Sequence, residues 1–507
     1  MFKDEHGEMR KGLVTPLLIT AMLSGCVMGP EYQTPDIALP EALPEHVLLT
    51  DEQRHDWSDW WRQFEDPQLD ALVERATNES LELRLQLQRI QEARAQLGLS
   101  RAEQFPTVAL QAEASRERTP GAILPGNGEM EQIRELIEST NNMFSVTGVL
   151  EYEVDLWGRL AREREAAEAM LEESAFAHDA ARIGIITDVV STYFDLRSAE
   201  AQRRISENTL SVQAETYRLE QLRFDLGATD ELALRQAQSE LETSRAELPG
   251  LRQRVRRLEG ALAILVGMSP AELFAEVDFG DSRLEEIALP SGVPTMLPST
   301  LLQRRPDIRA AEAAMIAANA RIGAAEASRL PSLNLSAFLG SSAAETTDLF
   351  TSSAETWGLG ASVAGPLFDF GRSRARIETA EVQAEQADTQ YRVTVNTAFN
   401  EVRDALVTYD TSGERIEATR EQVEAIQRTH ELAELRYREG MTSFIEVLDA
   451  QRDLHSAQLG LAEAMRDRLT ATATLFKALG GGWQDPRELL IQAQEELGDE
   501  DHYREAE

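Results

Sequence analysis

The chain holds a single cysteine, Cys26, in 507 residues. That excludes a disulfide within the chain and any Cys-based metal cluster. Lysine is nearly missing: Lys3, Lys11 and Lys477 are all of it, and arginine carries the rest of the positive charge. Lys and Arg total 50 against 88 Asp and Glu, a net charge of −38, so nucleic acid is not expected as a partner. A solvated acidic surface is the plain reading of that excess. Aromatics are only 6%. The chain has no His-Glu-x-x-His, no phosphate-cradling glycine loop and no nucleophile elbow, so no catalytic residues and no metal site are expected. Gly480-Gly481-Gly482-Trp483 follows a helical tract and lacks the Gly-Lys-Ser/Thr ending, so it reads as a helix stop.

Position makes the lone cysteine informative. Lys3, Arg10 and Lys11 precede a short apolar run at 13–22, then Leu23-Ser24-Gly25-Cys26. The run is half the ~20 residues a spanning helix needs, so 1–25 reads as an export signal. Leu-Ser-Gly-Cys resembles the lipobox of bacterial lipoproteins, which implies a covalent lipid on the Cys26 sulfur. The alternative is a free thiol in an ordinary signal peptide. Val27, where aspartate would favour retention in the inner membrane, points to the outer membrane.

The body of the chain is a duplication. Leu222-Arg223-Phe224-Asp225-Leu226-Gly227-Ala228-Thr229 aligns with Leu435-Arg436-Tyr437-Arg438-Glu439-Gly440-Met441-Thr442 at an offset of 213. Gly158-Arg159 and Gly371-Arg372 keep that offset. Leu97-Gly98 and Phe105-Pro106 match Ile322-Gly323 and Leu330-Pro331 at 225, which places a 12-residue insertion in the first copy between Pro106 and Gly158. Each copy opens with a helical stretch (81–104, 307–329) that stops at a proline. Two alternating segments follow, about 107–116 and 144–157 in the first copy and about 332–340 and 356–368 in the second. Period two with one apolar face defines strands. Alone, four such strands fit a soluble sandwich as well as a membrane β-barrel. Four strands cannot close a barrel, and open edges are not viable in lipid, so a barrel requires several chains; three give twelve strands.

Then come tracts nearly free of Pro and Gly, 160–226 and 372–439, each roughly 100 Å long as helix at ~1.5 Å per residue. Antiparallel partners at 230–265 and 443–479 follow turns at Gly227 and Gly440. Val447, Ala450, Leu454, Ala457, Leu461 and Ala464 recur at three and four, a coiled-coil stripe. The expected class is mainly α with a small β part. The expected segments are 1–25 signal, 26–65 N-terminal segment, 66–268 first repeat, 269–298 linker, 299–483 second repeat and 484–507 acidic tail.

These residues carry a resemblance. Gly29-Pro30-Glu31-Tyr32 with Pro35 lies just after Cys26, and Trp60-Trp61, Phe64, Asp66-Pro67 and Leu69 follow. Asp155-Leu156-Trp157-Gly158-Arg159 has its copy in Phe368-Asp369-Phe370-Gly371-Arg372. Arg304-Arg305-Pro306-Asp307-Ile308-Arg309, Leu448-Asp449-Ala450-Gln451-Arg452 and Leu475 to Trp483 complete the set. In this order, with the duplication and the lipobox, the chain resembles the TolC-like outer-membrane efflux proteins, in the lipoprotein branch serving RND-type multidrug pumps. The resemblance implies a homotrimer with a 12-strand barrel in outer-membrane lipid and a periplasmic helical tube. It also implies a periplasmic adaptor (membrane fusion protein) and an inner-membrane RND-type transporter as partners, with no cofactor beyond the lipid on Cys26.

By the same resemblance the periplasmic gate maps to Tyr437, Ile445, Asp449 and Arg452, with Asp449 and Ile445 forming rings under threefold symmetry and Arg452 or Tyr437 linking chains. Spacing alone makes Asp449 and Arg452 no more than a surface pair. The adaptor-docking turns would be Leu226, Gly227, Ala228, Thr229, Gly440, Met441 and Thr442. The competing readings are an exit duct for type I secretion or metal efflux, a periplasmic adaptor, or a lipid-anchored enzyme.

Overall fold

The computed structural model describes residues 27–40, 57–118, 140–274, 279–280, 282–290 and 298–482; Cys26, the signal segment, Trp483 and the acidic tail lie outside them. A 3-10 helix, Trp57–Phe64, leads into α1 (Pro67–Glu79) and α2 (Leu81–Ala102). Strands β1 (Thr107–Arg118) and β2 (Thr140–Val154) follow, then α3 (Arg159–Asp225) and α4 (Glu231–Leu265). After the single-turn α5 (Pro270–Leu273) and the short α6 (Pro298–Arg304), the pattern returns. The second set is α7 (Pro306–Ala327), β3 (Ser332–Ala343), β4 (Glu355–Ala364), α8 (Arg372–Arg438) and α9 (Phe444–Ala478).

The duplication is visible in the element lengths. The helices α2 and α7 are both 22 residues, α3 and α8 both 67, α4 and α9 both 35. Both 22-residue helices end alike. Gln104 and Phe105 donate backbone hydrogen bonds three residues back, as do Arg329 and Leu330, before Pro106 and Pro331 end the run. The copies differ at Pro249, which lies inside α4. It withholds one donor from that helix. Its counterpart in α9 is Ala462, which is buried.

The chain divides into two compact units. The first takes 1–35, 91–172 and 313–389 and contains the sheet. That sheet is an antiparallel meander, β1-β2-β3-β4. Val146, Gly148, Leu150, Tyr152 and Val154 pair with Ser341, Leu339, Ala337, Leu335 and Leu333, so apolar positions share one face. The strands differ from expectation at their ends. β2 starts four residues before 144, and β4 stops at Ala364 rather than 368. Pro366, with no backbone N–H, follows Gly365 and ends the ladder there. The post-cysteine segment is tied into this unit. Met28 N–H donates to the Trp157 carbonyl at 3.1 Å, Arg162 Nε to the Met28 carbonyl at 3.0 Å, and Asn319 to the Pro30 carbonyl at 3.0 Å. Gly29 lies against Gly323 so closely that a Cβ on Gly29 would fall 2.4 Å from the Gly323 Cα. That backbone approach requires glycine on both sides.

The second unit takes 36–90, 173–312 and 390–507. Its main core joins Trp60, Trp61 and Phe64 to Leu69, Val73 and Ala76 of α1, to Ile186, Val189, Tyr193 and Phe194 of α3, and to Leu262 and Phe476. Trp60 stacks on Phe476 at 5.2 Å, and Gly481 and Gly482 pack beside its indole. Asp66 caps α1 through the Gln68 and Leu69 N–H groups and accepts the Tyr193 hydroxyl at 2.5 Å. Burial, with the Asp66 carboxylate beside it, pushes that phenol up to about 12. Arg305 of the Arg-Arg-Pro-Asp run donates to the Ala478 carbonyl and pairs with Asp307 and Glu401, tying α9 and α8 to the start of α7. In the α9 stripe Val447, Ala450, Ala457 and Ala464 are buried, while Leu454 and Leu461 are partly covered.

Candidate gate and docking turns

The two helical hairpins reverse through the same local geometry. At the first, Gly227 N–H donates to Phe224 and Ala228 N–H to Arg223; at the second, Gly440 N–H donates to Tyr437 and Met441 N–H to Arg436. Each is a Schellman stop with glycine in the left-handed region, at φ +71° and +72°. Space around both is open, so backbone conformation, not crowding, demands glycine there. Leu226 and Met441 project from the two turns, 75% and 69% exposed. Gly227, Ala228 and Gly440 are exposed, and Thr229 and Thr442 partly covered. The Thr442 hydroxyl is buried and finds no protein partner.

Behind the turns, a small apolar cluster joins the copies: Ala233 and Ala237 of α4 with Phe444, Val447 and Leu448 of α9, flanked by Tyr217 and Tyr437. Two polar clasps flank it. In one, the Tyr437 hydroxyl donates to Glu220 Oε1 at 3.0 Å, and Arg223 reaches the same oxygen at 3.1 Å while covering the Tyr437 ring. Glu220 is buried, and its second oxygen has no partner. Burial and that carboxylate push the Tyr437 phenol up to about 12. In the other, Arg452 donates to Glu240, which is buried, and to Asp449 at 3.2 Å. The hydrogen bond to Glu240 raises the Arg452 pKa.

All four expected gate residues therefore lie on one helix pair near one turn. Tyr437 and Arg452 are engaged within their own chain, by carboxylates from the first copy. Asp449 and Ile445 stay exposed, Ile445 at 38%. The exposed Arg452–Asp449 pair is worth ~0.2–1 kcal/mol; losing Arg452 would also leave the buried Glu240 carboxylate without its partner, which costs more. Sequence reasoning missed Glu220, Glu240 and Arg223. A signal was present for Glu220: at the offset of 213 its counterpart is Ala433, a buried carboxylate in one copy where the other needs none.

Two repeats, each a strand pair and a long helical hairpin, with a membrane-type sheet and a polar clasp behind the turns, define a class of outer-membrane channel. The model of the family described as "Outer membrane efflux protein" matches residues 72–268 and 297–481. The toluene efflux pump outer membrane protein TtgC of Pseudomonas putida is 33% identical over 94% of this chain and 97% of its own length. The probable outer membrane lipoprotein SilC of Salmonella typhimurium is 32% identical over 91% and 97%. Among solved structures, the outer-membrane channel OprN aligns with a TM-score of 0.80 at 31% identity, covering 90% of this chain and all of that one. The chain belongs to the outer membrane efflux protein family.

Proposed function

We propose that this chain is the exit duct of a tripartite efflux pump, a homotrimer that passively conducts small molecules, drugs among them, from periplasm to exterior. It is an outer-membrane efflux component. The observation that carries the trimer is the sheet. Four antiparallel strands with exposed faces end in two unpaired edges, β1 and β4, and lipid does not tolerate an open edge. Three chains close twelve strands. Lipid on Cys26 anchors the duct, and the segment described from Val27 onward begins one residue later in the sheet-bearing unit.

Gating follows from the tip. Tyr437, Ile445, Asp449 and Arg452 form the constriction, with Asp449 as a carboxylate ring that favours cations and repels anions. The turns at Leu226–Thr229 and Gly440–Thr442 receive the periplasmic adaptor, which couples the duct to an inner-membrane RND-type transporter. The chain conducts and does no chemistry; it is not an enzyme, and its only prosthetic group is the covalent lipid. The test is particle mass and membrane partition of the purified protein in detergent, followed by conductance in a planar bilayer. Three lipidated chains from the outer membrane, forming a cation-preferring pore of low conductance, are expected. A water-soluble monomer or dimer without conductance overturns the reading.

A further inference from the structure

The charged residues of the sheet are sorted by sign. Strand alternation sends successive side chains to opposite faces, and the ladder sets Val108, Leu110, Ala112 and Ala114 of β1 on the face of Leu150, Gly148, Val146 and Phe144. Two rungs further, that apolar column ends in Arg116 and Arg118, opposite Asn142 and Thr140. Glu113 and Glu117 take the other face, where Glu151 and Glu153 of β2 also lie. Both arginines of the described strands thus stand on the apolar face, and the one strand carboxylate there is Glu355, on the opposite edge of the sheet. In a chain with 88 acidic residues against 50 basic ones, this reverses the general bias. A polar strand end that merely met water would not be sorted in this way.

The arginines lie at the end of the ladder away from the helices, since Thr107 and Val154 at its other end adjoin α2 and α3. With the helices in the periplasm, the Arg118 end faces the exterior. Arg116 is eight residues past Val108, roughly 27 Å along the strand at ~3.4 Å per residue. That is about 20 Å of height at a tilt of ~40°, against an apolar band ~25 Å tall. Long guanidinium side chains run along such a band and place their heads at its edge, in the headgroup layer. Both side chains are exposed, and no described carboxylate forms an ion pair with either. Only the first copy has this feature. The counterparts of Arg116 and Arg118 at 225 are Ser341 and Ala343, and Glu355 takes the place of Asn142 at 213.

We propose that Arg116 and Arg118, with Asn142 and Thr140 opposite, bind a phosphorylated glycolipid of the outer leaflet, one site per chain. Its acyl chains lie on the apolar column of β1 and β2, and its phosphate on the guanidinium pair. Guanidinium meets phosphate through a planar fork of N–H donors that a lysine point charge does not reproduce. Asn142 and Thr140 add an amide and a hydroxyl, with opposite Cβ atoms ~5 Å apart. Phospholipid of the inner leaflet is at the wrong rim. The site shares no residue with the proposed gate or docking turns, so it seats the barrel and leaves conduction alone.

The proposal rests on the channel reading, and its test keeps the two apart. Full-length protein in detergent is mixed with diphosphoryl lipid A, freed of excess lipid on a column, and its retained lipid counted by mass spectrometry. Phosphate-free lipid A and phosphatidylglycerol are run alongside, as are Arg116→Gln/Arg118→Gln, Arg116→Lys/Arg118→Lys and Glu113→Gln/Glu117→Gln. The wild type is expected to retain diphosphoryl lipid A several-fold better than either other lipid, and less so in high salt. The glutamine pair in place of the arginines should abolish that preference, the lysine pair should keep part of it, and the change at Glu113 and Glu117 should leave the ranking unaltered. Equal retention of phosphorylated and phosphate-free lipid A by the wild type, a comparison that needs no variant, overturns the site. Equal retention of phosphatidylglycerol overturns the glycolipid, and full retention by the glutamine pair overturns the two arginines. A detergent-stable trimer with no phosphate preference leaves the channel reading standing, whereas a water-soluble monomer that takes up no lipid overturns both.

Discussion

The hairpin of the first copy and that of the second share length, turn geometry and backbone hydrogen bonds, yet their side chains have divided the work. Where the second copy has Tyr437, Asp449 and Arg452, the first has Phe224, Gln236 and Ser239. Where the first has Glu220 as a buried acceptor, the second has Ala433. In the two contacts between copies, the first supplies the acceptors Glu220 and Glu240 and the second supplies the donors Tyr437 and Arg452. Repeat geometry survives such drift because helix length and glycine turns depend on backbone physics, whereas the clasps depend on single side chains. The caps diverge too. Asp230 accepts the Ala233 N–H at 2.9 Å, while the side chain of Ser443 makes no such bond.

The sharpest way to break the comparison is at the proposed gate. Replacing Asp449 and Arg452 together with Ala is expected to raise single-channel conductance several-fold, while Gln236→Ala with Ser239→Ala leaves it unchanged. Equal conductance in both double variants would remove the gating role.

Next in size is Glu220→Ala, which strips the acceptor from Tyr437 and Arg223. It should cost ~1–3 kcal/mol of local stability, read as faster amide exchange in α3 and α8 near the turns. The same clasp predicts a pH response. A phenol raised from 10 to about 12 contributes stability that is fully present below pH 10 and is lost as pH climbs through 12. Protection of the tip amides, after correction for the base-catalysed intrinsic rate, should therefore fall across that window, and Tyr437→Phe should flatten that fall.

Gly227→Ala and Gly440→Ala should each cost ~1–2 kcal/mol, because an L side chain in the left-handed region is strained. Equality of the two is the point, since unequal costs would show that one turn is held by more than its backbone. Smallest is the cap: Asp230→Ala should lose ~1 kcal/mol and Ser443→Ala almost nothing by the same exchange measurement. On the acid side, His455 is depressed by burial and bonds Thr209 at 3.1 Å, with Glu247 pulling the other way. Its neutral form adds stability present above pH 6.5 and lost as pH falls below it, so loosening of α9 against α3 should appear only in acid.

Much of this was legible beforehand, for identifiable reasons. Tracts nearly empty of proline and glycine announce long helices, and Gly227 and Gly440 mark their reversals. Strand alternation marks a face. The strand ends were less legible: β2 extends to Thr140 through Thr-Asn-Asn-Met, which lacks alternation, because β1 offers partners that far. Helix α4 runs unbroken through Pro249, as the expected span 230–265 requires, with Leu248 and Val255 buried along it.

By itself, the sequence determined the architecture: two copies, their offsets of 213 and 225, helix against strand, and the residues that terminate each. Those properties are periodic or local, and a chain expresses them without knowing its neighbours. Only the tertiary structure decided that Arg452 reaches Glu240, that Tyr437 reaches Glu220, and that Gly29 closes on Gly323. These are contacts between residues some 210 to 290 positions apart, set by how helices pack, and no periodicity in the chain encodes them.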